Sequence, residues 1–333
     1  MAAGDFTASN LVDVQLKADA IWMDNMAKTD YIADVEAFKA LKENQSANVS
    51  TLETGKDFKT TISWIQDCDI EATTCTDDCS IDGVELSTES KDLEITSCVK
   101  TSFKVERKGF RTNLYDMHEV VAKGMLKASK VLDEEITKAG IAFLNTSAGA
   151  NIYAGPLGTL VSGDTTIAAL NWDTRLLPYL RMVATKNRFN NPFMLSGENY
   201  WYADNEATYN KDNADGKGDN VRNSLLKRYY DLFNIEAVND PDLVTYLINR
   251  GAVAFASKNY DPAQPYDIMN PGQKRYSIES RNLPGVRYDV IYTTKCISNK
   301  IYDVWDFRGY YDFFLNPTGC VADRTGVLRF LKV

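Results

Sequence analysis

Four of the six cysteines lie close together: Cys68, Cys75, Cys79 and Cys98. As thiolates, four cysteines can hold zinc tetrahedrally. The spacing supplies one CxxxC step and none of the paired CxxC knuckles of a zinc ribbon. Disulfides are the alternative in oxidising surroundings, and free thiols the third reading. A zinc site or a disulfide would stiffen the segment that carries it. Within that segment, "DCSIDGVELSTE" (78–89) sets Asp78, Ser80, Asp82, Gly83 and Glu89 where a calcium loop places ligands and its turn glycine. Its flanks are not helical, and Glu85 stands where an apolar residue is usual, so an acidic turn is the simpler reading.

Other chemistry is poorly supplied. The one histidine, His118, sits in a helical pattern, which removes histidine-centred triads and multi-histidine metal sites. No GxSxG motif is present, and "GKGDN" lacks the strand and helix that flank a phosphate-binding loop. "LDEEI" places Asp133, Glu134 and Glu135 consecutively on a helix, where neighbours face different ways; a solvated face is expected. "NYWYAD" and "YYDFF" could stack on a carbohydrate, but core or subunit contact explains them more simply. The sequence predicts no enzyme, no cofactor and no resident metal.

The 333 residues suffice for one large or two ordinary domains. A net charge of -9 argues against a nucleic-acid binder, since phosphate contacts need clustered Lys and Arg. No basic start leads into an apolar run, and no stretch is long and apolar enough for a transmembrane helix. A cytosolic product is expected, and a viral product assembled in a cytosol would look the same.

Residues 11–46 read as one or two amphipathic helices, with Leu11, Val14, Ala18, Ile21 and Trp22 at three- and four-residue spacing. In "DFKTTISWIQD", Phe58, Thr60, Ile62 and Trp64 share a strand face. In 93–105, Leu93, Ile95, Val99, Phe103 and Val105 share another, and pairing of this long strand with 57–66 would give a projecting hairpin. Such a hairpin is poorly stable alone and needs a partner. A long helix follows, with Asn113 as expected N-cap and Leu114, Met117, Val121, Met125, Ala128, Leu132, Ile136 and Ala139 in one stripe. Gly124 interrupts it at a cost of about 1 kcal/mol relative to alanine.

Beyond "NTSAGANIYAGPLG" the pattern is mixed. Helices are expected in "DTRLLPYLRMVATKN", "ENYWYADNEATYN" and "VRNSLLKRYYDLF", and a short buried strand in "PFMLSG". "TYLINRGAVAFASK" reads as a buried strand passing into a small-residue helix or turn. From Val286 the chain is β, turning at "SNK" (298–300) into "IYDVWDFRGYYDFFLNP", and "GVLRFLKV" is a last strand.

This order of elements resembles the major capsid protein of tailed phages, the Hong Kong 97-like fold shared with herpesvirus capsids and encapsulins. The likeness rests on "FKVERKGFRTNLYDMHEVVAKGMLKASKVLDEEI" (103–136), "TYLINRGAVAFASK" (245–258) and "RYDVIYTTKCISNKIYDVWDFRG" (287–309). It implies an α+β fold with an N-terminal arm (1–52), an extended two-stranded loop (53–107), a peripheral domain with the spine helix (108–149 and 284–317) and an axial domain (150–283 and 318–333). It further implies a non-enzymatic shell subunit forming pentamers and hexamers of an icosahedral head around double-stranded DNA, bound without sequence specificity. Portal, scaffolding and decoration proteins would be partners, the virion capsid the location, and the host bacterial cytoplasm the place of assembly; no membrane is involved. Phe58, Ile62, Trp64, Leu93, Ile95, Phe103 and Val105 would then meet a neighbouring copy, and Arg107 and Arg111 would pair with its acidic residues. An encapsulin-like compartment keeps the fold and changes the contents, while a carbohydrate-binding surface protein would use the aromatic clusters instead.

Overall fold

The computed structural model describes residues 8–25, 31–45, 58–65, 88–107, 116–173, 175–209, 226–239, 243–259, 273–316 and 325–333. In chain order the helices are α1 (Ala8–Asn25), α2 (Glu36–Glu43), α3 (Met117–Ser147), α4 (Leu176–Lys186), α5 (Glu198–Tyr209) and α6 (Asn234–Val238). The strands are β1 (Lys59–Ile65), β2 (Thr88–Glu94), β3 (Ser97–Glu106), β4 (Gly158–Val161), β5 (Asp164–Ile167), β6 (Phe193–Ser196) and β7 (Lys227–Tyr230). They continue with β8 (Val244–Ile248), β9 (Val253–Lys258), β10 (Gln273–Glu279), β11 (Arg287–Ile297), β12 (Lys300–Leu315) and β13 (Val327–Lys332). Two compact units are formed, one from Met1–Val35, Ile95–Thr137 and Ser257–Tyr311, the other from Glu36–Glu94, Lys138–Ala256 and Asp312–Val333.

The first unit is built on an antiparallel sheet in the order β10-β11-β12-β3. Strand alternation puts Tyr288, Val290, Tyr292, Trp305 and Phe307 on one face, all of them buried. Phe103 of β3 joins that face, its ring 6.3 Å from Trp305 and 5.9 Å from Phe307. The long hairpin turns through Ser298 and Asn299 at φ 51° and 60°, the left-handed pair that a two-residue turn requires. Helix α3 covers the same apolar face. Of its expected stripe, Val121, Met125, Ala128, Leu132 and Ile136 are buried and Met117 and Ala139 half-buried, while Leu114 lies outside the described residues. Its cap is Asp116, which accepts from the His118 N–H at 3.2 Å; Asn113 lies outside the described residues.

The second unit holds a mixed sheet in the order β4-β5-β13-β8-β6-β7, with β5 parallel to β13 and β6 parallel to β7. Leu176, Leu180 and Val183 of α4 pack with Met194, Leu247 and Phe330 in one buried cluster. Asp231, fully buried, accepts from the N–H groups of Ala37 (3.1 Å) and Asn234 (2.8 Å), so one carboxylate serves the first turns of both α2 and α6.

Four expectations are corrected. The 93–105 strand breaks at Ile95–Thr96: β1 pairs with β2, register Ile62↔Lys91, whereas β3 pairs with β12, register Phe103↔Trp305. Joining the larger sheet buries the apolar face of β3, which a two-stranded ribbon could not do. In the helix expected over 221–233, Lys227–Tyr230 instead form the strand β7, where β6 supplies a parallel partner; Tyr229 then meets Phe193 edge-on at 5.6 Å. Of the helix or turn expected after the buried strand, the turn is found at Gly251, φ 80°, and residues 253–258 form β9 rather than a helix, with Ala254 and Ala256 buried as strand residues. Asp133, expected on a solvated face, is fully buried.

Gly124 is a packing requirement as well as a helix weakness. A Cβ built there would lie 2.6 Å from Cε2 of Phe103, whose ring is itself held by Trp305 and Phe307. Gly124→Ala is therefore expected to destabilise by about 1–3 kcal/mol despite its helix propensity, and adding Phe103→Leu to recover part of that. Denaturant unfolding checks both; a stabilised single variant would contradict the packing.

Candidate functional site

Among the described residues the ribbon β1–β2 is a ladder of two strands, running from Lys59↔Glu94 to Ile65↔Thr88. Thr88, Glu89, Ser90, Lys91 and Asp92 of β2 are all exposed, so both faces of this strand meet solvent. The pairs on it are exposed too: Lys59 with Asp92 at 3.0 Å, and the Thr61 hydroxyl donating to Asp92 at 2.6 Å. Such contacts contribute little. Along β2 covering begins at Leu93 and continues at Ile95 just beyond it, 2% and 5% exposed.

At the far end of β3, Arg107 closes the strand. Its Nε donates to the Asp303 carboxylate at 2.9 Å and its Nη2 at 2.8 Å, a bidentate pair. The same Nη2 lies 2.9 Å from the Tyr292 hydroxyl and 3.0 Å from that of Thr294. These bonds, the one to Asp303 above all, raise the Arg107 pKa further above its ordinary value. The sequence directs Arg107 toward a neighbouring copy; the structure gives its guanidinium to its own chain.

A second polar node lies under the sheet. Asp133 of α3 accepts from Ser280 Oγ (2.7 Å), Asn282 Nδ2 (2.7 Å), Ser129 Oγ (3.3 Å) and the Tyr288 hydroxyl. Asn282 in turn accepts from the Ala33 N–H at 3.2 Å, so the node ties the segment ahead of α2 and the 280–283 turn to α3. The donors are all neutral. Burial, which these bonds only partly offset, pushes the carboxyl up to about 6. Beside the node is a cavity of about 330 Å³ bordered by Ser129, Ser280, Tyr288, Met125 and Gln15. The sequence signal for the node was present. Ser129, Asp133 and Thr137 follow one another at four-residue spacing beside the apolar stripe, and Asp133 and Thr137 are buried.

The remaining sequence candidates are placed as follows. Phe58 is half-buried, just ahead of β1; Ile62 and Trp64 lie in β1 opposite Lys91 and Glu89. Leu93, Ile95 and Val105 are covered by their own chain, and Phe103 packs on Gly124. Arg111, Cys68, Cys75, Cys79 and positions 78–87 of the calcium-like stretch lie outside the described residues. Cys98, on β3, carries a free, exposed thiol. Among the described residues no three His, Cys, Asp or Glu side chains gather where a metal could bind, and no helix is long and apolar enough to cross a membrane.

No protein-family model matches the chain, and no curated protein sequence does. Solved structures do. The chain is similar to one described as the capsid asymmetric unit of cyanophage A-1(L), at 12% identity over 83% of this chain and 88% of that one, with a TM-score of 0.53. It is also similar to one from Mycobacterium phage Bobi, at 11% identity over 91% of each chain and a TM-score of 0.51. At such identities the likeness is one of fold: this α+β chain has the phage capsid fold that its sequence resembles.

Two predictions follow from the buried charges. Arg107→Ala leaves the Asp303 carboxylate, 2% exposed, without its guanidinium, and is expected to cost about 3–5 kcal/mol in denaturant unfolding. Arg107→Lys should recover only part of this, since a single ammonium cannot reproduce the fork; an unchanged midpoint for the alanine variant would contradict the pairing. For Asp133 the folded pKa lies above the ordinary 3.8. Between about pH 4 and 6 the folded chain keeps a proton that the unfolded chain has lost, so this group's contribution to stability falls as pH rises, by on the order of 3 kcal/mol. Asp133→Asn should remove that component. Its unfolding free energy relative to the parent should therefore improve from pH 4 to pH 7, and a pH-independent difference would contradict the assignment.

Proposed function

We propose that the chain is a major capsid protein, a non-enzymatic subunit that assembles with its own copies into the pentamers and hexamers of an icosahedral phage head. The shell encloses double-stranded DNA without reading its sequence, is assembled in the host cytoplasm, and takes portal, scaffolding and decoration proteins as further partners. The observation that carries this reading is the β1–β2 ribbon: two strands, exposed on both faces of β2, on a fold shared with a phage capsid structure. A ribbon of this kind has too little buried surface to be stable by itself. A neighbouring copy is the partner that a shell supplies in the same geometry at every position.

In this reading the ribbon makes the contact and the following strand holds it. Phe58, Ile62 and Trp64 supply the apolar residue types on the β1 side. Leu93, Ile95, Phe103, Val105 and Arg107 form the base from which the ribbon starts, already packed or paired within the chain. The net charge of -9 suits a container whose wall must not hold its nucleic acid tightly.

Electron microscopy of the purified chain under assembly conditions is the test. Closed shells are expected from the parent, and folded, unassembled subunits from the double variant Ile62→Asp with Trp64→Asp. A parent that stays monomeric under every assembly condition would overturn the reading.

A further inference from the structure

The sheet of the first unit ends in the β11–β12 hairpin tip, where every residue from Thr294 to Ile301 is exposed. The register Lys295↔Tyr302 and Ile297↔Lys300 places these four residues on one face of the tip. Ile297 is 38% exposed there, and Ile301 on the opposite face 42%. The tip holds two lysines and no acid, in a chain whose net charge is -9. Lys300 is engaged by Glu106 at 2.9 Å, which leaves Lys295 as the exposed charge beside Ile297.

Helix α1 carries the opposite combination. One face is buried in its own chain through Val14 and Ala18. Val12, Leu16 and Met23, spaced by four and then seven residues, form a second apolar line on the other side, 53%, 62% and 74% exposed. Isolated exposed apolar residues need no explanation, but three on one helical line make a stripe. Asp13 and Asp24 stand exposed beside it, while Lys17 is taken by Asp116 and Asp19 by Arg281.

We propose that the β11–β12 tip of one copy docks on the outward stripe of α1 of a second copy, Ile297 against Leu16 and Met23, Lys295 against Asp13 or Asp24. The occupant follows from charge. Two α1 stripes facing each other would set Asp13 and Asp24 against their own equivalents, and two tips would oppose their lysines, so each surface rejects itself and accepts the other. Within one chain both are exposed, so neither covers the other. A contact between unlike surfaces is heterologous and propagates from copy to copy, which a ring or lattice needs. It is small, and repetition rather than individual strength makes it durable.

This inference rests on the assembly reading, and the test separates the two. The critical concentration for shell formation is measured by light scattering for the parent, for Lys295→Glu, for Asp13→Lys with Asp24→Lys, and for all three substitutions together. Circular dichroism and thermal unfolding of the subunits control for folding, with Lys295→Gln and Asp24→Asn as milder versions. Each one-sided reversal is expected to raise the critical concentration about tenfold, the combination to return it to within about threefold, and high salt to shrink both differences. Parent shells with unaffected variants, or a combination that does not recover, would overturn this contact alone. A Lys295→Glu variant that loses co-purifying nucleic acid while assembling normally would show that the tip holds nucleic acid instead. If the parent forms no shells, the assembly reading fails and the contact falls with it.

Discussion

The constraint on which the structure turns is that a strand must be covered by something. Through β3 that requirement is met within the chain, because the strand lies beside β12 and its Phe103 is seated on a glycine of α3. At Thr88–Asp92 it is not met: among the described residues β2 has one partner strand, and these five residues are exposed. In the assembly proposed above, β3 is the supported part of this segment and the ribbon the part that a second copy covers.

The supported half is over-determined by polar groups that the sheet buries at some cost. Asp303 receives a bidentate arginine, and Asp289 is paired with Arg275 at 2.6 Å. Asp133 has only neutral donors, so burial raises its pKa and its contribution to stability is lost as pH rises; three chain segments meet there. Groups of this kind fix geometry more than they stabilise, since a well-packed apolar replacement would often serve stability as well.

The sequence was readable wherever periodicity and side-chain type agreed. The α3 stripe, the β11–β12 hairpin with its Ser298–Asn299 turn, and the helix within "DTRLLPYLRMVATKN" all stand where the pattern put them. It misled where long-range pairing decided the outcome. The alternation of 93–105 runs unbroken through Ile95, so no local signal marks where the chain leaves one ladder and joins another. β7 became a strand because β6 lies alongside it, an effect of tertiary context that local propensity does not contain. Asp133 is masked in the sequence by its neighbours Glu134, half-buried, and Glu135, exposed, which make the run look wholly solvated. Arg107 could be marked as important from its place at the end of an apolar strand, but its partner lies 196 residues away.

Hydrogen exchange at the backbone amides of Lys59–Ile65 and Thr88–Glu94, compared between dilute subunits and assembled shells, addresses the dependent ribbon most directly. Slow exchange in these strands only after assembly, with β3 and β12 protected in both states, is the predicted result. Equal protection of the ribbon in the isolated subunit would mean that it needs no second copy, and the central claim would be wrong.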